Sequence, residues 1–225
     1  MVSFVHLIRE TSFMYIAIEG VIGVGKTTLS RLLSEQLGAR LVLEIVEENP
    51  FLSDFYQDMR RYAFQVQIFF LLSRYQQQMD LTQPDLFQPR IVSDYIFQTD
   101  RIFANLNLAD NELTLYERLF PLLERDVPKP DLVIYLQASH EVIMERIARR
   151  GREFERSMPP EYIAGLNEAY NYFFFHYAST PLLIVNTNQV DFLNDPTAVP
   201  DLRRRIEEHR GGTSYYTPLA GGGEA

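Results

Sequence analysis

Cysteine is absent from the 225 residues. That gap excludes disulfides, Cys-based zinc sites and a thiol nucleophile, and it suits a cytoplasmic protein. Histidine is scarce: His6, His140, His176 and His209 are scattered without metal-ligand spacing, so each reads as a surface or satisfied core residue. No apolar run reaches about 18 residues, too short for a membrane-spanning helix. The N-terminus lacks the basic flank, apolar stretch and small-residue cleavage site of a secretory signal. A surplus of positive charge is missing as well. The formal net charge is −9, which makes a nucleic-acid polymer a poor partner. A small phosphorylated ligand needs only a few cations in one place.

What is present suits one soluble α/β domain with a single core: 46% apolar and 23% charged residues. Five short apolar runs read as strands: Tyr15–Ile18, Arg40–Leu43, Arg90–Ser93, Leu132–Leu136 and Leu182–Val185. Most are continuous and rich in β-branched residues, as buried parallel strands are. Helical patterns separate them, over Thr27–Leu37, Tyr62–Met79, Glu112–Arg125, His140–Arg150, Glu161–Tyr177 and Pro200–His209. This alternation predicts a doubly wound sheet of about five parallel strands with helices on both faces, and the G-x-x-x-x-G-K-[ST] match at Gly20–Thr27 makes it one of the P-loop NTPase type. Residues 1–13 show no pattern and read as an extension, with Met14 as the native start. The tail from Gly211 to Ala225 carries five glycines and no apolar periodicity, and is expected to be disordered. The domain proper therefore spans 14–210.

Gly20-Val21-Ile22-Gly23-Val24-Gly25-Lys26-Thr27 matches G-x-x-x-x-G-K-[ST], with a strand before it and a helix after it. That context makes it a phosphate loop. Gly20, Gly23 and Gly25 let backbone N–H groups turn toward phosphate oxygens, and the helix N-terminus adds positive potential. Lys26 can reach the outer phosphates, the Thr27 hydroxyl can ligate Mg²⁺, and Thr28 completes the nucleotide-contacting set. The loop by itself implies a nucleoside triphosphate without distinguishing kinase, GTPase or ATPase.

Two carboxylates stand at strand ends, where a parallel sheet opens its ligand crevice. Glu44 closes the second strand and is placed to take a proton from an acceptor hydroxyl, whereas Glu47 and Glu48 fit solvated loop positions better. Asp94 closes the third. Holding Mg²⁺ and capping the next helix both suit Asp94, and the metal reading is preferred. Arg146, Arg149, Arg150 and Arg152 surround Gly151. Arg146 and Arg150 share a helix face, and guanidinium forks suit phosphate oxygens. The cluster reads as a mobile lid over the phosphates, with a solvated basic face at a helix C-terminus as the plainer reading.

From Tyr15 to about Phe192 the chain resembles the deoxyribonucleoside kinase family, its bacterial deoxyguanosine and deoxyadenosine kinase branch above all. The resemblance is carried by the phosphate loop, Glu44-Ile45-Val46-Glu47-Glu48-Asn49-Pro50-Phe51-Leu52, Phe55-Tyr56, Phe64-Gln65-Val66-Gln67, Ser73-Arg74, Ser93-Asp94-Tyr95, Ile102-Phe103-Ala104 and Arg150-Gly151-Arg152-Glu153-Phe154-Glu155. It implies transfer of the ATP γ-phosphate to a 5′-hydroxyl, with Mg²⁺ and a homodimer built through packed helices. It implies Glu44 as general base, with Gln67, Arg74 and Asp100 reading the base and Phe103 stacked on it. For Phe103, core packing is nearly as good a reading. Tyr56 and Glu155 would bind the 3′-hydroxyl, with a tyrosine near the sugar crowding the 2′-position. Arg146, Arg150 and Arg152 would hold donor phosphates, Arg150 and Arg152 acting with Lys26 in catalysis. Two departures matter. Many members carry an acid-Arg-Ser triplet where this chain has Asp94-Tyr95-Ile96, so one phosphate contact is in doubt and the deoxyguanosine kinase branch is favoured. Asn49 stands where animal members carry tryptophan.

Two rival readings stand beside this one. A thymidylate-kinase-like enzyme would need cations for a monophosphate acceptor, and Glu44 would repel that phosphate. A P-loop regulator that only binds nucleotide is the other, although the Asn/Thr-Lys-x-Asp guanine reader of a GTPase is missing. A purine deoxynucleoside, deoxyguanosine ahead of deoxyadenosine, is the expected acceptor.

Overall fold

A computed structural model of the chain describes residues 15–81, 89–195 and 197–218. Six strands form one parallel sheet: β1 (Tyr15–Glu19), β2 (Arg40–Val42), β3 (Ile91–Ser93), β4 (Leu132–Gln137), β5 (Leu182–Asn186) and β6 (Thr213–Tyr216), ordered β2-β3-β1-β4-β5-β6. β1 lies at the centre and every residue of it is buried. Tyr15, Ile16 and Ala17 pair with Ile91, Val92 and Ser93 on one side. Ile16 to Glu19 pair with Leu132 to Tyr135 on the other. A strand covered on both faces needs apolar side chains in both phases, which is why these runs are continuous rather than alternating.

Among the described residues eight helices connect the strands: α1 (Lys26–Leu37), α2 (Leu52–Gln57), α3 (Met59–Leu81), α4 (Asp100–Asn107), α5 (Asp110–Glu124), α6 (His140–Arg150), α7 (Pro160–Phe175) and α8 (Ala198–Glu208). Single 3-10 turns occur at Phe97–Thr99 and Glu153–Glu155. α1 buries Leu29, Leu33 and Leu37, and α7 buries Ile163, Leu166, Tyr170 and Phe174; both stripes follow the helical period. The Tyr135 ring stacks on Phe174 at 4.2 Å, joining α7 to the sheet. Among the described residues no helix is long and apolar enough to cross a membrane.

The expected doubly wound parallel sheet is present, and the expectation of a disordered tail from Gly211 is corrected at its start. Residues 213–216 form β6, registered against Leu182 to Val185. Tyr216 is buried and donates to Asp201 of α8, while Tyr215 points outward at 74% exposure. An edge strand buries one face only, and this one is four residues long beside two glycines, so its apolar signal is weak. Residues 219–225, the 1–13 extension and Met14 lie outside the described residues.

Candidate active site

The phosphate loop leaves β1 through Gly20 and enters α1 at Lys26. Gly20 has φ +148°, and a Cβ there would lie 2.6 Å from Leu136 O. At Gly23, φ is +87° and a Cβ would meet Ile147 Cγ1 at 2.5 Å. No side chain fits either position, because the loop packs directly on β4 and α6. Gly23, Gly25, Lys26, Thr27 and Thr28 line a cleft of about 980 Å³. Gly20 is buried and does not line it. Its carbonyl instead accepts from Lys26 Nζ at 2.7 Å, with Val21 O at 3.3 Å. Burial lowers the Lys26 pKa, opposed by the charges of Glu19, Glu44 and Asp94.

Thr27 Oγ1 donates to Asp94 Oδ2 at 2.7 Å, and the Glu44 backbone N–H donates to Asp94 Oδ1 at 2.7 Å. Asp94 is therefore no helix cap; Ile96 precedes the 3-10 turn that follows, without a side-chain cap. β2 ends at Val42, so Glu44 stands two residues past the strand rather than at its tip. Burial raises the Asp94 pKa, and the nearby Glu44 charge adds to the shift. The Thr27 hydroxyl and the Asp94 carboxylate are hard oxygen donors facing the cleft side by side. They fit Mg²⁺, which commonly takes one or two protein oxygens and completes its shell with phosphate and water.

The other end of the cleft is built on α3. Gln67 and Arg74 are seven residues apart, hence on one stripe. Both are buried. Arg74 Nε donates to Glu44 Oε1 at 2.8 Å and its Nη1 to Asp100 Oδ1 at 3.0 Å. Gln67 Nε2 donates to Asp100 Oδ2 at 2.7 Å and to Asp100 O at 3.0 Å. Phe103 packs edge-on against Tyr170, with the Arg74 guanidinium 5.9 Å from its ring centre. Tyr56 and Phe154 stack at 6.1 Å with a 9° interplanar angle. Glu155, nearly buried, receives both Arg150 Nε (3.1 Å) and Nη2 (2.5 Å). Arg152 reaches Glu155 at 3.9 Å and Glu47 at 3.5 Å. Apart from Tyr170, all of these residues, Asp100 included, border that same cleft.

Arg146 departs from the lid reading. Its guanidinium donates to Val24 O (2.9 Å), Thr187 Oγ1 (3.0 Å), Thr187 O (2.5 Å) and Val190 O (3.0 Å). It clamps the phosphate loop to the segment after β5, and its fork is filled by three backbone oxygens and the Thr187 hydroxyl. Tyr95, standing where an arginine was expected to help hold phosphate, is buried and donates to Gln77 Oε1 at 3.0 Å. Two residues were not anticipated. Tyr116 of α5 donates to Asp100 Oδ2 at 2.6 Å; in sequence it is indistinguishable from an ordinary core aromatic. Glu19 ends β1 fully buried. Burial raises its pKa, opposed by Lys26 and by its hydrogen bonds. A charge closing an otherwise apolar strand was the available signal.

A phosphate loop at one end of a cleft, a carboxylate in the middle and a buried polar pocket at the other end make the molecule a P-loop phosphotransferase. The chain belongs to the deoxynucleoside kinase family: the family profile of that description matches residues 16–210. Deoxyguanosine kinase of Bacillus subtilis (strain 168) is 40% identical over 157 residues, covering 69% of this chain and 76% of the relative. Deoxyadenosine kinase of Dictyostelium discoideum is 34% identical over 215 residues, covering 93% and 86%. Among solved structures, deoxyadenosine kinase from M. mycoides with bound dATP superposes with TM-score 0.73 at 29% identity, covering 85% of this chain and 97% of that one.

Proposed function

We propose that the protein transfers the γ-phosphate of ATP to the 5′-hydroxyl of a purine deoxynucleoside, deoxyguanosine ahead of deoxyadenosine, in cytoplasmic nucleotide salvage. The observation that carries this reading is Glu44. Its carboxylate, with the side chain 18% exposed, opens on the same cleft as the phosphate loop and is pinned by Arg74. A carboxylate there suits a neutral hydroxyl acceptor and repels a monophosphate, which argues against a thymidylate-kinase-like reaction.

In this reading Glu44 takes the 5′-hydroxyl proton as the oxygen bonds to the γ-phosphorus. The bond to the β,γ-bridging oxygen breaks and ADP leaves. Lys26, released from the Gly20 and Val21 carbonyls, and the lid residues Arg150 and Arg152 neutralise charge on the donor phosphates. Thr27 and Asp94 would hold Mg²⁺. When bound, it supplies charge neutralisation at the β- and γ-phosphate oxygens. Gln67, Arg74 and Asp100 read the base beside Phe103, and Tyr56 with Glu155 binds the 3′-hydroxyl. Positioning and preorganised charge supply most of the acceleration.

The lean toward deoxyguanosine rests on the Asp94-Tyr95 pair and on 40% identity to a deoxyguanosine kinase, against 34% and 32% to two deoxyadenosine kinases. A homodimer is part of the reading. Leu115, Leu119 and Leu122 of α5 are exposed at i, i+4, i+7 spacing, and Leu72 is exposed on the contacting α3. Assays of the four deoxynucleosides with ATP and Mg²⁺ test the proposal. Deoxyguanosine should give the highest kcat/KM and deoxyadenosine the next. Faster turnover of deoxynucleoside monophosphates would sink it.

A further inference from the structure

We propose that Glu19 is a positioning residue for phosphoryl transfer, locking the phosphate loop and the acceptor pocket into one rigid unit. The inference rests on the reading of the cleft given above and adds a residue that does not border the cleft.

Glu19 is the last residue of β1 and only 1% exposed. Its Oε2 accepts from the Gly20 N–H at 2.9 Å. Its Oε1 accepts from the Ile96 N–H at 2.8 Å and from Thr99 Oγ1 at 2.5 Å. The first bond fixes the peptide that opens the phosphate loop. The other two fix both ends of the segment carrying the 3-10 turn at 97–99. That turn runs directly into Asp100, which receives Gln67, Arg74 and Tyr116. One carboxylate thus stands one residue from the phosphate loop and, through Thr99, one residue from the acceptor pocket. Gly20 is held on both sides: its N–H by Glu19 and its carbonyl by Lys26 at 2.7 Å.

Elementary energetics argue against a purely structural role. The rest of β1 is Tyr15, Ile16, Ala17 and Ile18, and an apolar residue in place of a buried charge is often neutral or stabilising. A carboxylate is what the geometry requires, because all three donors must be met by oxygen. Glutamine has one acceptor oxygen, so its NH₂ would face either the Gly20 N–H or the Ile96 N–H, donor against donor. One of the two ties is then lost while side-chain volume is kept. A slackened tie shifts donor phosphates relative to the acceptor without removing any group that touches either. Misplacement of about 1 Å costs roughly 100-fold in rate.

The test compares wild type, Glu19→Gln, Thr99→Val and Thr99→Ser, each with its thermal unfolding curve. Thr99→Val deletes one donor to Glu19 at nearly constant volume, and Thr99→Ser restores it. With both substrates saturating, kcat per folded molecule should fall at least about 30-fold in Glu19→Gln, with either KM moving less than about fivefold. It should fall several-fold in Thr99→Val and recover in Thr99→Ser. Wild-type kcat in folded Glu19→Gln overturns the proposal, as does a loss confined to melting temperature. If Glu19→Gln does not fold, equal kcat in Thr99→Val and Thr99→Ser overturns it. A wild type that phosphorylates no deoxynucleoside would remove the reading of the cleft and this inference with it. An active wild type with an indifferent Glu19 removes this inference alone.

Discussion

The guanidinium of Arg74 donates to the carboxylate of Glu44 from Nε at 2.8 Å, with Nη2 closing on the same oxygen. The arginine side chain is 5% exposed and that of Glu44 18%, so the pair lies at the boundary between core and cleft. Burial opposes the arginine's charge, but Glu44 and Asp100 outweigh it and hold the guanidinium above its ordinary pKa. The rings of Phe70, Tyr95 and Phe103 surround it at 5.6–5.9 Å. Arg74 therefore sets the position of one Glu44 oxygen before any ligand arrives. In the proposed reaction the second oxygen would meet the acceptor hydroxyl.

Glu44→Gln keeps an oxygen for Arg74 and loses the proton acceptor. The side chain should hold its place, so kcat should drop by about 10²- to 10⁴-fold, the usual size of a general-base contribution. Affinity for an ATP analogue, titrated separately, should change less than about threefold. An unaltered kcat would take the base role away from Glu44.

Gln67→Ala removes one of the three side chains that donate to the Asp100 carboxylate, leaving Arg74 and Tyr116. A buried polar group short of a partner costs about 1–3 kcal/mol, so the fold survives at lower stability. Deoxynucleoside kcat/KM should fall about 100-fold with the KM for ATP unmoved. Steady-state kinetics with each substrate varied in turn would read this, and an intact kcat/KM would undo the pocket assignment.

Much of this site was legible because its chemistry sits at strand ends. The phosphate loop with Lys26 and Thr27 links β1 to α1, Glu44 follows β2 and Asp94 follows β3, where the chain turns polar, and the central strands need no context beyond their own side chains. What stayed hidden depends on tertiary packing. Arg146 and Arg150 share a helix face in sequence, yet one meets three backbone oxygens and the Thr187 hydroxyl and the other a carboxylate. Tyr116 looks like core until Asp100 is placed beside its hydroxyl. Gly20 belongs to the motif, and its N–H donates to Glu19 while its carbonyl accepts from Lys26. β6 has one buried face and two flanking glycines, so local propensity favoured a tail and the unpaired edge of β5 decided otherwise.

Asp94→Asn should separate stability from function. Burial and the Glu44 charge raise the Asp94 pKa above its unfolded value. The folded state therefore binds protons more tightly than the unfolded one, and this carboxylate's contribution to stability declines as pH rises through that window. Asparagine can keep its oxygen on the Glu44 N–H and turn its NH₂ to Thr27 Oγ1, which accepts as well as donates. At pH 7 the ligand-free variant should melt no lower than wild type while Mg²⁺-supported kcat falls at least about 100-fold, as expected for loss of a metal-holding group in phosphoryl transfer. A melting point several degrees below wild type would contradict the sign of the shift.

Leu119→Glu with Leu122→Glu tests the proposed homodimer. Both side chains are exposed, at 37% and 65%, and lie one turn apart on α5. Tyr116 and Phe120, on the buried side of the same helix, hold it to the core. The substitutions therefore alter only an outward face, and the fold should persist with a melting point within a few degrees of wild type. Two copies facing each other through this stripe would bring four new carboxylates together in a desolvated interface, where like charges cost several kcal/mol. Light scattering at micromolar concentration should report a dimer for wild type and a monomer for the double variant. Phosphate loop, Glu44 and Gln67 all belong to one chain, so the monomer should retain most of its kcat. A wild type that is monomeric, or a double variant that still dimerises, would move the interface elsewhere or remove it.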